Sequence, residues 1–223
     1  MKLGVLFSGG KDSTLATWLA KKQGYEISCL ITLISKNPYS YMFHTPSIKQ
    51  TEKQAKAMGF SLLKVKTMGE KEKELRDLEK AIKEAKKKYG IEGIITGAVE
   101  SVYQASRVQK ICDKLDLECF NPLWQKDQIE LLEDLIKNKF EVIITGVFAY
   151  PLGKEWLGRK IDKKFIKDVK ELNKKYKINP GGEGGEFETF VLHAPGLFKK
   201  ELKIKNQKIS GEGNSWSIEV ELV

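Results

Sequence analysis

The sequence predicts an α/β protein: a parallel sheet with helices on both faces, followed by a smaller α+β unit. Three observations predict it. Short apolar runs alternate with amphipathic stretches through the first 150 residues. A glycine-rich turn, Ser8-Gly9-Gly10-Lys11-Asp12-Ser13, sits between the first run and the first amphipathic stretch. The alternation stops after Tyr150-Pro151, where a glycine-rich acidic segment and short β-like runs take over. Strands alternating with helices favour a parallel sheet, because each crossover lays a helix on one of its faces.

In chain order, Leu3 to Phe7 is a buried strand. Ser13 to Lys22 has helical spacing, with Leu15, Trp18 and Leu19 on one face. Ile27 to Ile34 is a second strand, Ile48 to Met58 a helix and Leu62 to Val65 a third strand. Glu70 to Lys88 mixes both charge signs at helical spacing, as a solvated helix laced with i,i+4 pairs does. Ile91 to Thr96 is a strand, Ser101 to Leu115 a helix and Leu117 to Phe120 a short strand. Gln128 to Lys137 is a helix, and Val142 to Phe148 is expected to continue the sheet. Asp162 to Tyr176 is one more amphipathic helix. Phe198 to Val223 reads as a small β meander turning at Asn206-Gln207 and at Gly211 to Asn214. The division falls near residue 150, giving parts 1–150 and 151–223. Ile94-Ile95-Thr96-Gly97 recurs as Ile143-Ile144-Thr145-Gly146. This is either convergence between buried strands or two edges of one crevice, since open α/β sheets bind ligands beyond the carboxyl ends of their strands.

The composition suits a folded, soluble chain: 41% hydrophobic and 31% charged over 223 residues. No apolar run approaches the roughly 18 residues that span a bilayer. Met1 to Phe7 is too short for a signal peptide, so a cytoplasmic protein without a membrane partner is expected. Cys29, Cys112 and Cys119 fit neither a redox pair nor a zinc ribbon and read as buried free thiols. His44 and His193 are too far apart in sequence to suggest a metal site. Net charge is +9 with pI ≈ 9.2. The basic charge is diffuse and lacks interleaved aromatics, so nucleic acid is not the expected partner. Abundant Lys and Glu together resemble the composition of archaeal and other heat-adapted proteins.

The chemistry begins at Ser8 to Ser13. Gly9 and Gly10 let the backbone approach a phosphate closely. The helix that follows points unpaired N–H groups and its positive end at the anion. The hydroxyls of Ser8 and Ser13 add hydrogen bonds, and Lys11 adds charge. Asp12 cannot face a bare phosphate; it serves through Mg²⁺ or as a cap. This is not a GxxxxGK loop, since position 5 is Val and Lys11 is followed by Asp12.

SGGKDS resembles the signature of the pyrophosphate-loop ATPases, which cleave ATP between its α- and β-phosphates. Three further blocks narrow the resemblance. They are Ser40-Tyr41-Met42-Phe43-His44-Thr45, then Gly97 to Gln104 with Arg107, Cys112 and Leu123 to Gln128, and lastly Gly182 to Thr189 with Ala194-Pro195. Together, over nearly the whole chain, they resemble the diphthine–ammonia ligase family, which completes diphthamide on a histidine of translation elongation factor 2.

The resemblance implies an adenine nucleotide alpha hydrolase-like (HUP) domain, with ATP and Mg²⁺ as cofactors. It implies that ATP adenylylates the diphthine carboxylate, and that ammonia displaces AMP. A chain of this length leaves no room for a glutaminase domain, so free ammonia is the expected nitrogen donor. Ser8, Gly9, Gly10, Lys11, Asp12, Ser13 and Gly97 would hold the nucleotide. Lys11 and Asp12 would act in catalysis, with Asp12 on Mg²⁺. Ser101, Tyr103, Gln104, Arg107, Glu183, Gly184, Gly185, Glu186, Glu188 and Thr189 would face the acceptor.

Some of these residues carry a second reading. Tyr103 and Arg107 share a helix face; they contact a ligand, or Tyr103 packs and Arg107 forms an ordinary ion pair. Glu183, Glu186 and Glu188 offer counter-charge to the trimethylammonium of diphthine, with Tyr103 or Phe187 offering a π face, or they form a solvated turn. Trp124 is expected in the core, and His44 near adenine or in a lid. The alternative function is a tRNA-modifying enzyme of the same loop class. Sulfur transfer would call for a cysteine pair, and Cys112 and Cys119 are poorly spaced for one. A homo-oligomer is left open.

Overall fold

The computed structural model describes residues 1–35, 37, 48–70 and 72–223. The block Ser40 to Thr45, with His44, lies outside the described residues. The first part runs β1 (Lys2–Leu6), α1 (Lys11–Lys22), β2 (Glu26–Ser35), α2 (Thr51–Met58), β3 (Ser61–Thr67), α3 (Glu74–Tyr89), β4 (Gly93–Ile95), α4 (Val102–Lys114) and β5 (Glu118–Phe120). These strands form a parallel sheet in the order β3-β2-β1-β4-β5. The chain winds outward from β1 in one direction, then returns to β4 and winds in the other. The switch point therefore opens a crevice between the carboxyl ends of β1 and β4.

Local chemistry fixes the helix ends. Ser101 caps α4 by accepting from the Gln104 N–H, and Gly59 and Gly90 end α2 and α3 in left-handed conformation. Leu78, Ala81, Ile82 and Ala85 recur at helical spacing on α3 and bury that face against β2 and β3.

The second part runs α5 (Gln128–Lys137), β6 (Glu141–Val147), α6 (Lys163–Tyr176), β7 (Phe187–His193), β8 (Ile204–Glu212) and β9 (Ser215–Leu222). Its strands form an antiparallel sheet ordered β7-β6-β9-β8. This corrects the expectation that Val142 to Phe148 extends the parallel sheet. By strand pairing, the architecture changes between β5 and β6. The tail is a single hairpin turning at Gly213-Asn214, and Asn206-Gln207 lies inside β8 instead of in a turn. Asp162 caps α6 through the Phe165 N–H.

One hydrophobic core joins the two sheets. Val5, Leu15 and Leu30 from the first part share it with Phe165, Phe190 and Leu192 from the second. Helix α1 sits between them, and Trp18 Nε1 on that helix donates to the Pro195 carbonyl at 2.8 Å. A second cluster lies under α3 and α4. Among the described residues, no helix is long and apolar enough to cross a membrane.

Candidate active site

A cleft of about 750 Å³ opens at the switch point. Its floor is the turn after β1. Gly9 takes φ +84° there, and a Cβ at that position would lie 2.4 Å from Gln54 Oε1. Gln54 is fully buried and donates from Nε2 to the carbonyls of Gly9 and Val191, at 3.0 and 2.7 Å. The Val191 N–H also donates to the Gly9 carbonyl. The turn is thus held from behind by α2 and β7 while its front faces the cleft. Gly10 precedes α1 and has no side chain with which to cap it. The start of that helix therefore offers its amides and its positive end to an anion.

Gly97, after β4, closes the opposite wall. A Cβ on it would lie 2.6 Å from Ser13 N and 2.9 Å from the Asp12 carbonyl carbon. Only glycine lets the two walls approach this closely.

Lys11 is buried, and its Nζ pairs with Asp12 Oδ2 at 2.7 Å. The other oxygen, Asp12 Oδ1, is buried without a hydrogen-bond partner among the described residues. The Lys11 backbone N–H donates to Thr189 Oγ1 at 3.0 Å, linking positions 178 residues apart. Through that contact the glycine-rich acidic segment folds over the phosphate turn. Glu183, Gly184, Gly185, Glu188 and Thr189 line the cleft. Burial pushes the Glu183 carboxyl up to about 7. The nearby Asp12 charge adds to the rise, while Lys11 and a hydrogen bond with the Glu100 backbone oppose it.

The expected residues thus divide. Ser8, Gly10, Lys11, Asp12, Ser13, Gly97, Ser101, Gln104, Glu183, Gly184, Gly185, Glu188 and Thr189 converge on the cleft. Gly9 supports it from behind. Tyr103 and Arg107 fall outside its lining: Tyr103 Oη donates to Glu72 at 2.8 Å, Arg107 pairs with the same carboxylate, and the guanidinium stacks 3.7 Å from the Tyr103 ring. The ion-pair reading describes where they sit. Glu186 turns back under its own loop, where Oε1 accepts from the Asn179 N–H at 2.9 Å. Phe187 lines the cleft while its ring packs edge-on against Phe165.

Thr96 and Gly97 of the first Ile-Ile-Thr-Gly echo line the cleft, but Thr145 and Gly146 of the second do not; they belong to β6 in the other sheet. Trp124, expected in the core, is 37% exposed. The thiols of Cys112 and Cys119 hydrogen-bond each other despite their spacing, raising the first and lowering the second. Neither lines the cleft.

Sequence reasoning missed Gln54, Glu100, Phe148 and Ser215. Gln54 left no signal, because a lone glutamine on a short helix looks like any solvated residue. Phe148 and Ser215 reach the cleft only because β6 and β9 pair with each other.

Residues 1–119 match the family described as diphthamide synthase N-terminal domain, and residues 127–221 match the corresponding C-terminal domain. The chain is 33% identical over 228 residues to the diphthine–ammonia ligase of Bos taurus, covering 94% of this chain and 85% of that protein. It is 32% identical to the Homo sapiens protein of the same name, over 228 residues and the same shares. Among solved structures it resembles a predicted subunit of tRNA methyltransferase from Methanocaldococcus jannaschii. That match has a TM-score of 0.46 and 19% identity, covering 89% of this chain and 100% of the other, and is too loose to bear on function.

Proposed function

The chain belongs to the diphthamide synthase family, and from that premise we propose that its cleft amidates diphthine on translation elongation factor 2. ATP and ammonia are consumed, and diphthamide, AMP and pyrophosphate are formed. The observation that carries this reading is the meeting of two distant segments. Residues of the Ser8 to Ser13 turn and of the Glu183 to Thr189 segment line one cleft, and the two are joined at Lys11 and Thr189.

ATP is the substrate of the floor. The amides at the start of α1, with the hydroxyls of Ser8 and Ser13, receive the phosphates whose anhydride bond is to break. Lys11 lies where charge grows as pyrophosphate departs. A carboxylate cannot expel oxide, so its carbon accepts ammonia only after an oxygen is bonded to the α-phosphorus. That step breaks the bond to the β-phosphate. Attack by nitrogen then breaks the carbon–oxygen bond, and AMP leaves.

The residues present also fit Mg²⁺. Asp12 Oδ1 is a buried carboxylate oxygen without a hydrogen-bond partner among the described residues, a donor suited to a hard cation. Asp12 would hold the ion, which when bound supplies charge neutralisation to the phosphates. Glu188 faces the acceptor side and gives its quaternary ammonium a counter-charge, which Glu183, titrating near 7, joins when ionised. Gly184 and Gly185 keep that wall free of side chains. Ser101 and Gln104 offer hydrogen bonds from the opposite wall.

The test incubates the protein with ATP, ammonium and diphthine-bearing elongation factor 2, then weighs the factor. The mass change from acid to primary amide, with AMP and pyrophosphate released in step, is the expected result. An unchanged factor, shown to accept amidation by another ligase of the family, would sink the reading.

A further inference from the structure

Helix α4 presents three stripes of residues near the cleft mouth. Ser101, Gln104 and Val108 turn into the cleft. On one flank, Tyr103 and Arg107 are tied to Glu72 and to each other. On the other flank a second concavity, of about 270 Å³, lies between Val102, Ala105, Ser106 and Gln109 on the helix and Asn121 and Trp124 beyond β5. Each of these helix positions is one residue along from a cleft-facing one or near it, a rotation of about 100°. The two hollows are therefore neighbours around one helix. They also share a wall, since Thr96 lines the cleft and its hydroxyl donates to Asn121 Oδ1 beside the groove.

The groove leaves apolar surface uncovered: Val102 is 67% exposed and Trp124 37%. Single exposed apolar residues are ordinary, but two that line one concavity beside the cleft are suited to anchor a partner. What fills it follows from the substrates, and so rests on the functional reading above. ATP is accommodated along the floor. Ammonia has one heavy atom. Only the acceptor, a side chain still attached to a folded protein, has atoms that must continue outside the cleft. Polar groups are paired on both flanks, Tyr103 and Arg107 with Glu72 on one and Ser106 and Gln109 with Tyr103 and Asp113 on the other, but only the second flank leaves apolar surface uncovered, at Val102 and Trp124.

We propose that this groove docks the polypeptide segment flanking the modified histidine of the elongation factor. An apolar side chain of that segment packs between Trp124 and Val102, the two uncovered apolar residues of the groove. The groove sets protein-substrate affinity without touching the reacting atoms.

The experiment measures steady-state amidation by wild-type protein, Trp124→Ala and Val102→Glu, varying the factor and ATP separately. The second variant alters a highly exposed side chain, so it keeps its fold if the first does not. The expected result in both is a KM for the factor raised about tenfold or more. The KM for ATP, and kcat at saturating factor, should stay within about twofold of wild type. Unchanged KM for the factor in an active pair of variants overturns the groove proposal alone. So does a matching rise in the KM for ATP, which would assign the groove to the nucleotide. Failure of wild type to amidate the factor overturns the functional reading and the groove with it.

Discussion

Single atoms decide much of this site. A methyl group at position 97 would strike the backbone of Ser13 and Asp12. Backbone cannot step aside as a flexible side chain can, so Gly97→Ala should displace the start of α1. ATP affinity, measured by calorimetric titration, should fall about tenfold, equivalent to the roughly 1–3 kcal/mol of an overpacked contact. Glu183 makes a different prediction. Its carboxyl titrates near 7 in the folded chain against 4.5 ordinarily. The fold thus favours the protonated form. That contribution to stability is fully present below pH 4.5 and is lost as pH rises through 7. In nucleotide-free protein, Glu183→Gln should melt at a temperature less dependent on pH across that window, and should gain on wild type as pH rises. Parallel melting curves for the two proteins would contradict this.

The two loops were legible because glycine and charge at fixed spacing have few other uses. Tyr103 and Arg107 were not: helical spacing says they share a face but not where the face points. Nor was Glu186, because Gly182 and Gly185 take positive φ and break the alternation that separates one side of the segment from the other.

Among the elements, the boundaries of α5 and the cap of α6 follow directly from sequence. Asp127 accepts from the N–H groups of Ile129 and Glu130, and Asp162 from that of Phe165. The placement of β6 did not follow, since an apolar run specifies burial and not its partner. Val142 to Val147 would suit a parallel sheet as well as an antiparallel one. Its partners β7 and β9 lie forty or more positions further on, beyond the reach of local pattern. The contact between α1 and β7 is the element-level feature most open to test. Thr189→Val keeps the volume but removes the acceptor of the buried Lys11 N–H. Leaving that donor unpaired should cost about 1–3 kcal/mol. Thermal unfolding should register the loss, and the KM for ATP should rise as the phosphate turn loosens. A variant with wild-type melting and wild-type KM would show that the contact is dispensable.

At the scale of the molecule, two sheets of opposite type share one core. Leu15 and Ala16 of α1 are buried in the same cluster as Phe190 and Val191 of β7. Neither sheet keeps that cluster when the other is removed. Chemical denaturation should therefore give one transition, with tryptophan fluorescence and far-UV circular dichroism superimposable. A fragment ending near residue 120 should fail to unfold cooperatively. Two separated transitions would mean that the sheets are independent after all. The fold class was readable at this scale, because alternation and the glycine-rich turn both survive any arrangement of the C-terminal part. The shared core was not, because it joins residues that no local pattern links.

The stitching of Gly9 to β7 has one further consequence. The turn proposed to receive ATP and the strand that carries the loop proposed to face the acceptor hold one another through Val191 and Gln54. Any ligand that steadies one steadies the other. The preference of each substrate is then conditional on the presence of its companion, and linkage makes the two effects equal in size. On the proposed function, such wiring would make ATP bind more tightly when the modified factor is present, and equal ATP affinity with and without the factor would contradict it. Selectivity of that kind would come from hydrogen bonds behind the cleft.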